Sequence, residues 1–276
     1  MMNARSAALI FLVAIVPVFI QAQDPEQSEK RPAQQAAGFG ITDAELIDQM
    51  MRIVPGIGKT SREMLNAQSI KPYMMPVRQV SYRDAELSYA LAICLEYYVN
   101  LNKNYKINLS PDYISLNLRK DGRAVNALEA FRFLADNGTV SAAILPYDAE
   151  ALTSAVYATP KFRINNYLIL FREVTRGQQK VYETRKALLR GHPVLVKFQA
   201  KEGLVNALGE QTLRLKGDGG AAHPLVVVGF DEQREAFELL SCWGSKWGEG
   251  GYAWVSYKDF EDFARSGFVM VPLENY

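Results

Sequence analysis

Two histidines and two cysteines, His192, His223, Cys94 and Cys242, are the side chains of this 276-residue chain best suited to nucleophilic or proton-transfer chemistry. A thiol becomes a nucleophile where a neighbouring imidazole or a helix N-terminus favours loss of its proton. His223 opens a β-branched run, Leu225 to Val228, and the chain then turns at Gly229, Asp231 and Glu232. It returns through Ala236 to Leu240 and runs into Ser241-Cys242-Trp243-Gly244. This pattern reads as two antiparallel strands with a glycine-rich return. Strand alternation turns neighbouring side chains to opposite faces, so Cys242 is expected to point away from any cleft that holds His223. Cys94 shares a helical stripe with Leu87, Leu91, Leu95 and Tyr98 and reads as a small core hydrophobe. A metal site needs three or four converging ligands, and two histidines without an HExxH pairing do not supply them, so neither metal nor cofactor is expected. His192, in Arg190-Gly191-His192-Pro193, reads as a loop histidine. Gly217-Asp218-Gly219-Gly220 lacks the lysine and the strand-loop-helix setting of a phosphate cradle, and reads as a turn.

The elements that carry these residues can be laid out in order. Arg5 precedes an apolar run from Ala7 to Ile20, shorter than the roughly 17–25 residues of a membrane-spanning helix, and the sequence turns polar at Asp24. Residues 1–22 are therefore an expected export signal, with no membrane span after its removal. The mature protein is expected to be periplasmic, attached to the cell surface or secreted. Residues 23–41, rich in Gln, Glu, Pro and Ala, read as a flexible leader. Residues 42–71 read as a helical extension, with one helix from Thr42, boxed by Glu45, and a second from Thr60 to Gln68. The folded domain is expected over 72–276. The whole chain's 31 Lys and Arg, one of them Arg5, against 30 Asp and Glu leave no basic stripe for nucleic acid. A central helix is expected after Asp84, which could cap it. A second begins at Pro111 with Ser110 as its cap, and further helices cover 125–136 and 181–189.

Two blocks of this chain resemble papain-like cysteine proteases. The first, Pro76-Val77-Arg78-Gln79-Val80 through Ala90, is similar to the approach to the family's central helix. The second, His223 to Val255, is similar to the half that carries the catalytic histidine and an Asn-Ser-Trp-Gly segment. Leu145-Pro146-Tyr147 and Gly191-His192-Pro193-Val194 extend the likeness. The resemblance implies an α+β, two-lobed papain-like fold, with a helical N-terminal lobe and an antiparallel, barrel-like C-terminal lobe. Aligned without gaps, Val80 stands at the oxyanion glutamine, Glu86 at the nucleophilic cysteine, Leu87 at the following tryptophan and Glu96 at the mid-helix glutamate. His223 stands at the histidine and Ser241 at the asparagine. The cysteines of the family's helical-lobe disulfides are absent from Arg119 to Arg123.

On this alignment no catalytic residue is expected. A carboxylate is a poor nucleophile toward an amide, since the anhydride it would form reverts. Val80 offers no side-chain N–H, and one lost oxyanion donor raises the barrier by about 3–4 kcal/mol. Ser241 could accept a bond from the imidazole, but orients it less firmly than an amide. Glu86 and His223 are expected to face each other across the cleft, with Leu87, Trp243 and Trp247 as cleft residues. Cys94 and Cys242 are expected to stay unpaired. The implied function is a non-catalytic relative that binds a protein or peptide, in a cell-envelope assembly. The alternatives are a hydrolase with an unconventional nucleophile and a structural accessory that docks through another face.

Overall fold

The structure, a computed structural model, describes residues 38–58, 66–81, 83–119 and 125–273. The expected export signal, the leader up to Ala37, Thr60 to Leu65 and Lys120 to Arg123 lie outside the described residues.

The molecule is organised around helix α2, Glu86–Lys103. Its sequence, ELSYALAICLEYYVNLNK, is apolar around most of the circumference, as expected of a helix buried on several sides. Leu91, Ala92, Leu95 and Val99 are fully enclosed. Burying a side chain of this size removes about 1.5–3 kcal/mol worth of exposed apolar surface from water, so the helix axis is also the axis of the core. Asp84 does not cap it. A short 3-10 turn, Arg83–Ala85, leads in, and Ala85 occupies the cap position with no side-chain bond. Asn104 ends the helix in the left-handed conformation at φ 51°, a geometry that asparagine tolerates better than other non-glycine residues.

Helix α3, Pro111–Leu118, starts as its sequence requires, with Ser110 accepting the Tyr113 N–H at 3.2 Å and Pro111 in the first turn. Helix α4, Ala127–Asp136, is capped by Asn126 and ends at Asn137.

The other half is an antiparallel sheet of β2 (Ile164–Phe171), β3 (Val194–Gln199), β4 (Ala222–Asp231), β5 (Ala236–Leu240), β6 (Tyr252–Ser256) and β7 (Ala264–Pro272), in the order β2-β7-β3-β4-β5-β6. The sheet is not closed into a barrel. Strand β4 is buried along most of its length because α2 and helix α5, Gly177–Leu189, both pack against it. Its continuous apolar run is the pattern of a strand covered on both faces. Helix α6, Tyr257–Phe263, capped by Ser256, links β6 to β7.

The N-terminal extension departs from expectation in three places. Helix α1, Ala44–Met50, is capped by Asp43 rather than Thr42. Of the second expected helix only its end is described, and there Ala67 and Gln68 belong instead to strand β1, Ala67–Ser69, which pairs with β4. Gly229 permits that pairing, since a Cβ there would stand 2.9 Å from the Gln68 carbonyl oxygen. The end of the expected leader is also held in place. Ile41 is buried, donates its N–H to the Tyr167 carbonyl at 3.0 Å and accepts from Ile169 at 2.8 Å.

His192 lies in the loop before β3, as its sequence suggests, but it is buried. It is 5% exposed and ties the extension to the central helix. Its Nε2 lies 2.5 Å from the Arg52 carbonyl and its Nδ1 2.8 Å from the Tyr98 hydroxyl. A carbonyl only accepts, so Nε2 carries the proton and Nδ1 accepts from Tyr98. Burial pulls the imidazole pKa down to about 4, and the nearby Arg190 charge adds to the effect against the Arg52 bond.

Candidate active-site cleft

The start of α2 meets the loop after β5 in a groove of about 270 Å³, walled by Gln79, Val80, Glu86, Trp243, Trp247 and Leu208. Backbone bonds fix this arrangement. Val80 N–H donates to the Cys242 carbonyl at 2.7 Å, and Gly244 N–H donates to the Arg78 carbonyl at 2.9 Å. Gly244 has φ 83°, and a Cβ there would come within 3.0 Å of Gln79 Oε1. Glycine is needed here on both counts, for the left-handed backbone and for the close approach of Gln79.

Glu86 lies in the first turn of α2 and is only 5% exposed. Both of its oxygens are engaged: Oε2 is 2.7 Å from His223 Nδ1, and Oε1 accepts the Trp243 indole N–H at 2.8 Å. The His223 and Trp243 rings meet edge to face with centroids 5.4 Å apart, and Trp243 meets Trp247 in the same way at 5.4 Å. Trp247 is locked by its own indole N–H, which donates to the Leu204 carbonyl at 2.7 Å. The imidazole is thus held on two sides, by a carboxylate and by an indole, in a setting mostly shielded from water. Each oxygen of the Glu86 carboxylate is thus already engaged within the protein.

The expected contact between Glu86 and His223 is present. Val80, Trp243 and Trp247 line the groove, but Leu87 does not: it turns into the main core. Ser241 is buried and accepts the Trp243 backbone N–H at 3.2 Å, so its hydroxyl serves the turn and is not bonded to the imidazole. The residue that sequence reasoning missed is Gln79. A gapless alignment gave the oxyanion position to Val80, yet Gln79 is the groove residue with an amide N–H to donate. The signal was a glutamine one residue upstream of the aligned position.

Neither thiol reaches the groove. Cys242 lies behind its wall, packed with Ala85 and Tyr89, and its Sγ is 3.9 Å from the Glu86 carbonyl oxygen. Burial pushes its pKa up, and the Glu86 charge pushes in the same direction. Cys94 is enclosed in the main core, where burial likewise raises its pKa. Both are free thiols. Glu96 forms a buried ion pair with Arg78 and accepts the Leu109 N–H at 2.6 Å. Burial raises its pKa against the pull of both partners. This pair fastens the segment leading to Gln79 onto the middle of α2.

A helical half built on α2, an antiparallel sheet against it, and a groove between them with a histidine on β4 and a Trp-Gly turn after β5 define a papain-like protein. The papain family cysteine protease model matches residues 94–267, and the chain belongs to that family. The match takes in His223 and Ser241 and begins after Glu86. The uncharacterized peptidase C1-like protein L477 of Acanthamoeba polyphaga mimivirus is 29% identical over 102 residues, 33% of this chain and 31% of that protein. The matched segment thus spans about a third of that relative's length. Among solved structures, the cysteine protease xylellain from Xylella fastidiosa superimposes with TM-score 0.61 at 16% identity, over 86% of this chain and 96% of its own. The Carica candamarcensis cysteine protease CMS1MS2, in complex with E-64, gives 0.56 at 16% identity, over 76% and 99%. The proCathepsin B S9 of Trypanosoma congolense gives 0.59 at 14% identity, over 83% and 88%. At these identities the likeness establishes the fold.

Proposed function

We propose that this protein is a non-catalytic member of the papain family that uses its cleft to bind an extended segment of a protein or peptide partner. The observation that carries the reading is the engagement of both Glu86 oxygens by His223 and Trp243, in a groove that neither thiol enters. A carboxylate so held has no productive route through a peptide carbonyl, whereas a groove edged by Leu208, 69% exposed, retains apolar surface for recognition. The reading extends to an exported protein, with residues 1–22 removed and 72–276 as the binding domain, working in a cell-envelope assembly. Among the described residues no helix is long and apolar enough to cross a membrane. Gln79 favours a second reading, a hydrolase with an unconventional nucleophile, because its amide could serve a developing oxyanion.

The experiment combines turnover and binding. The mature protein should neither cleave fluorogenic peptide or ester substrates nor react with thiol-directed protease probes. Hydrogen exchange with a partner captured from the native envelope should protect the groove, and folded Glu86→Ala and His223→Ala variants should bind it more weakly. Turnover abolished by Cys242→Ala in a folded protein would promote the hydrolase reading. Protection confined to a remote surface, with unchanged affinity in both variants, would remove the cleft from the function.

A further inference from the structure

The two walls of the groove come from opposite halves of the molecule. Glu86 and the segment leading to it form one, and Val205, Leu208, Trp243 and Trp247 form the other. Val205 and Leu208 lie in the connection from β3 to β4, which is fastened to the turn after β5. Gly248 N–H donates to the Ala207 carbonyl at 2.6 Å, Gly209 N–H to the Lys246 carbonyl at 3.1 Å, and the Trp247 indole to the Leu204 carbonyl. The position of this apolar wall therefore follows that of Trp247, which is 1% exposed and packs on Trp243. Trp243 is only half-buried, and a half-buried ring has room for other rotamers. Its indole N–H ends on Glu86 Oε1 at 2.8 Å, and a bond to a carboxylate is roughly twice as strong as one between neutral groups.

We infer that Glu86 is a positioning residue of the groove: it fixes the orientation of Trp243 and, through Trp247, the place of the apolar wall offered to a partner. An indole N–H only donates, so Oε1 must accept from it while Oε2 turns to His223 Nδ1. One side chain thus reaches from the first turn of α2 to two rings of the sheet half. A cysteine or serine at this position has a single polar atom and could not serve both rings. That the wall receives a partner rests on the function proposed above, whereas the hold on Trp243 does not.

The contacts form a series in which Glu86 touches Trp243 directly and Trp247 at one remove. Trp254, the third tryptophan of the chain, stands on β6 and is not part of the groove lining. The three indoles therefore report the series and a reference in one nitrogen–hydrogen correlation spectrum, with Trp243→Phe and Trp247→Phe assigning the signals. Glu86→Gln keeps an acceptor and a donor in place of the two oxygens. The indole requires its amide oxygen, which leaves the NH2 toward His223 Nδ1 and so requires an imidazole with its proton on Nε2.

The test compares these signals in the unaltered whole chain, in Glu86→Gln and in Glu86→Met, which fills similar space without an acceptor. The Trp243 indole hydrogen should exchange with solvent about tenfold faster in Glu86→Met than in the other two proteins, the scale of one lost hydrogen bond to a charged group. The Trp243 and Trp247 signals should both move in that variant while Trp254 stays, and the His223 ring nitrogens of Glu86→Gln should report a proton on Nε2. Trp243 and Trp247 signals that keep their positions and exchange rates in folded Glu86→Met overturn the proposal, as does a Trp243 shift that leaves Trp247 unmoved. Should Glu86→Met not fold, Glu86→Gln decides alone: a Trp243 hydrogen that loses its protection, or a His223 proton on Nδ1, overturns it. A partner that binds a remote surface would remove the function proposed for the groove and leave these signals as expected, so the two fail separately.

Discussion

Acidification should loosen the joint at His192. The imidazole is enclosed between the Arg52 carbonyl and the Tyr98 hydroxyl, its pKa lowered from 6.5 to about 4 by burial. The unfolded chain therefore binds this proton more tightly than the folded one. The stability linked to it is complete above about pH 6.5 and drains away as the pH falls toward 4. At 1.36 kcal/mol per pKa unit, the displacement corresponds to about 3 kcal/mol. A second proton on Nδ1 would face a hydroxyl hydrogen and leave Tyr98 to turn round. The charged groups nearby, Arg190 and the Asp48–Lys186 pair beside it, supply no free carboxylate to receive the imidazolium. Denaturant unfolding between pH 7 and pH 4, compared with His192→Gln, isolates this group from the carboxylates that titrate in both proteins. The variant should be the less stable at pH 7, and its deficit should shrink steadily toward pH 4. The ring nitrogen signals of the folded protein should also report an Nε2–H tautomer that persists to pH 5. A stability difference that stays constant across this range would refute the reasoning.

Two further outcomes follow from the cleft. A double-mutant cycle on Glu86→Gln and His223→Gln should show a coupling of about 1–3 kcal/mol in unfolding free energy, as for buried partners in one network, and additive losses would show that the 2.7 Å contact is not energetically linked. Cys94 and Cys242, both buried with raised pKa values, should resist alkylation in the native protein and react fully on unfolding without reductant. A two-hydrogen mass deficit in the unreduced protein would contradict this.

The sequence by itself determined the elements whose signals are local. The period of α2, the Ser110-Pro111 start of α3, and the paired strands from His223 to Leu240 follow from residues within a few positions of each other. Strong amphipathic or apolar periods fix an element regardless of what it meets. The His223 to Glu86 contact was legible too, because it depends only on the positions of two strong elements in a known fold. Tertiary structure decided everything that depends on which surface meets which. Strand β1 has only three residues and no period of its own, and it exists because β4 offers an edge across a glycine. His192 is buried because the extension folds back over it, some 140 residues away in sequence. Ser241 gives its hydroxyl to its own turn, and Leu87 turns to the core, through rotations that strand and helix periods alone do not specify. Gln79 stands beside Val80 in the groove because backbone bonds between this segment and the turn after β5, Val80 N–H to the Cys242 carbonyl and Gly244 N–H to the Arg78 carbonyl, hold it there, a contact that no local period reveals. Local chemistry sets the period of each segment, but the phase between segments is set by long-range packing, and the contents of the cleft are a matter of phase.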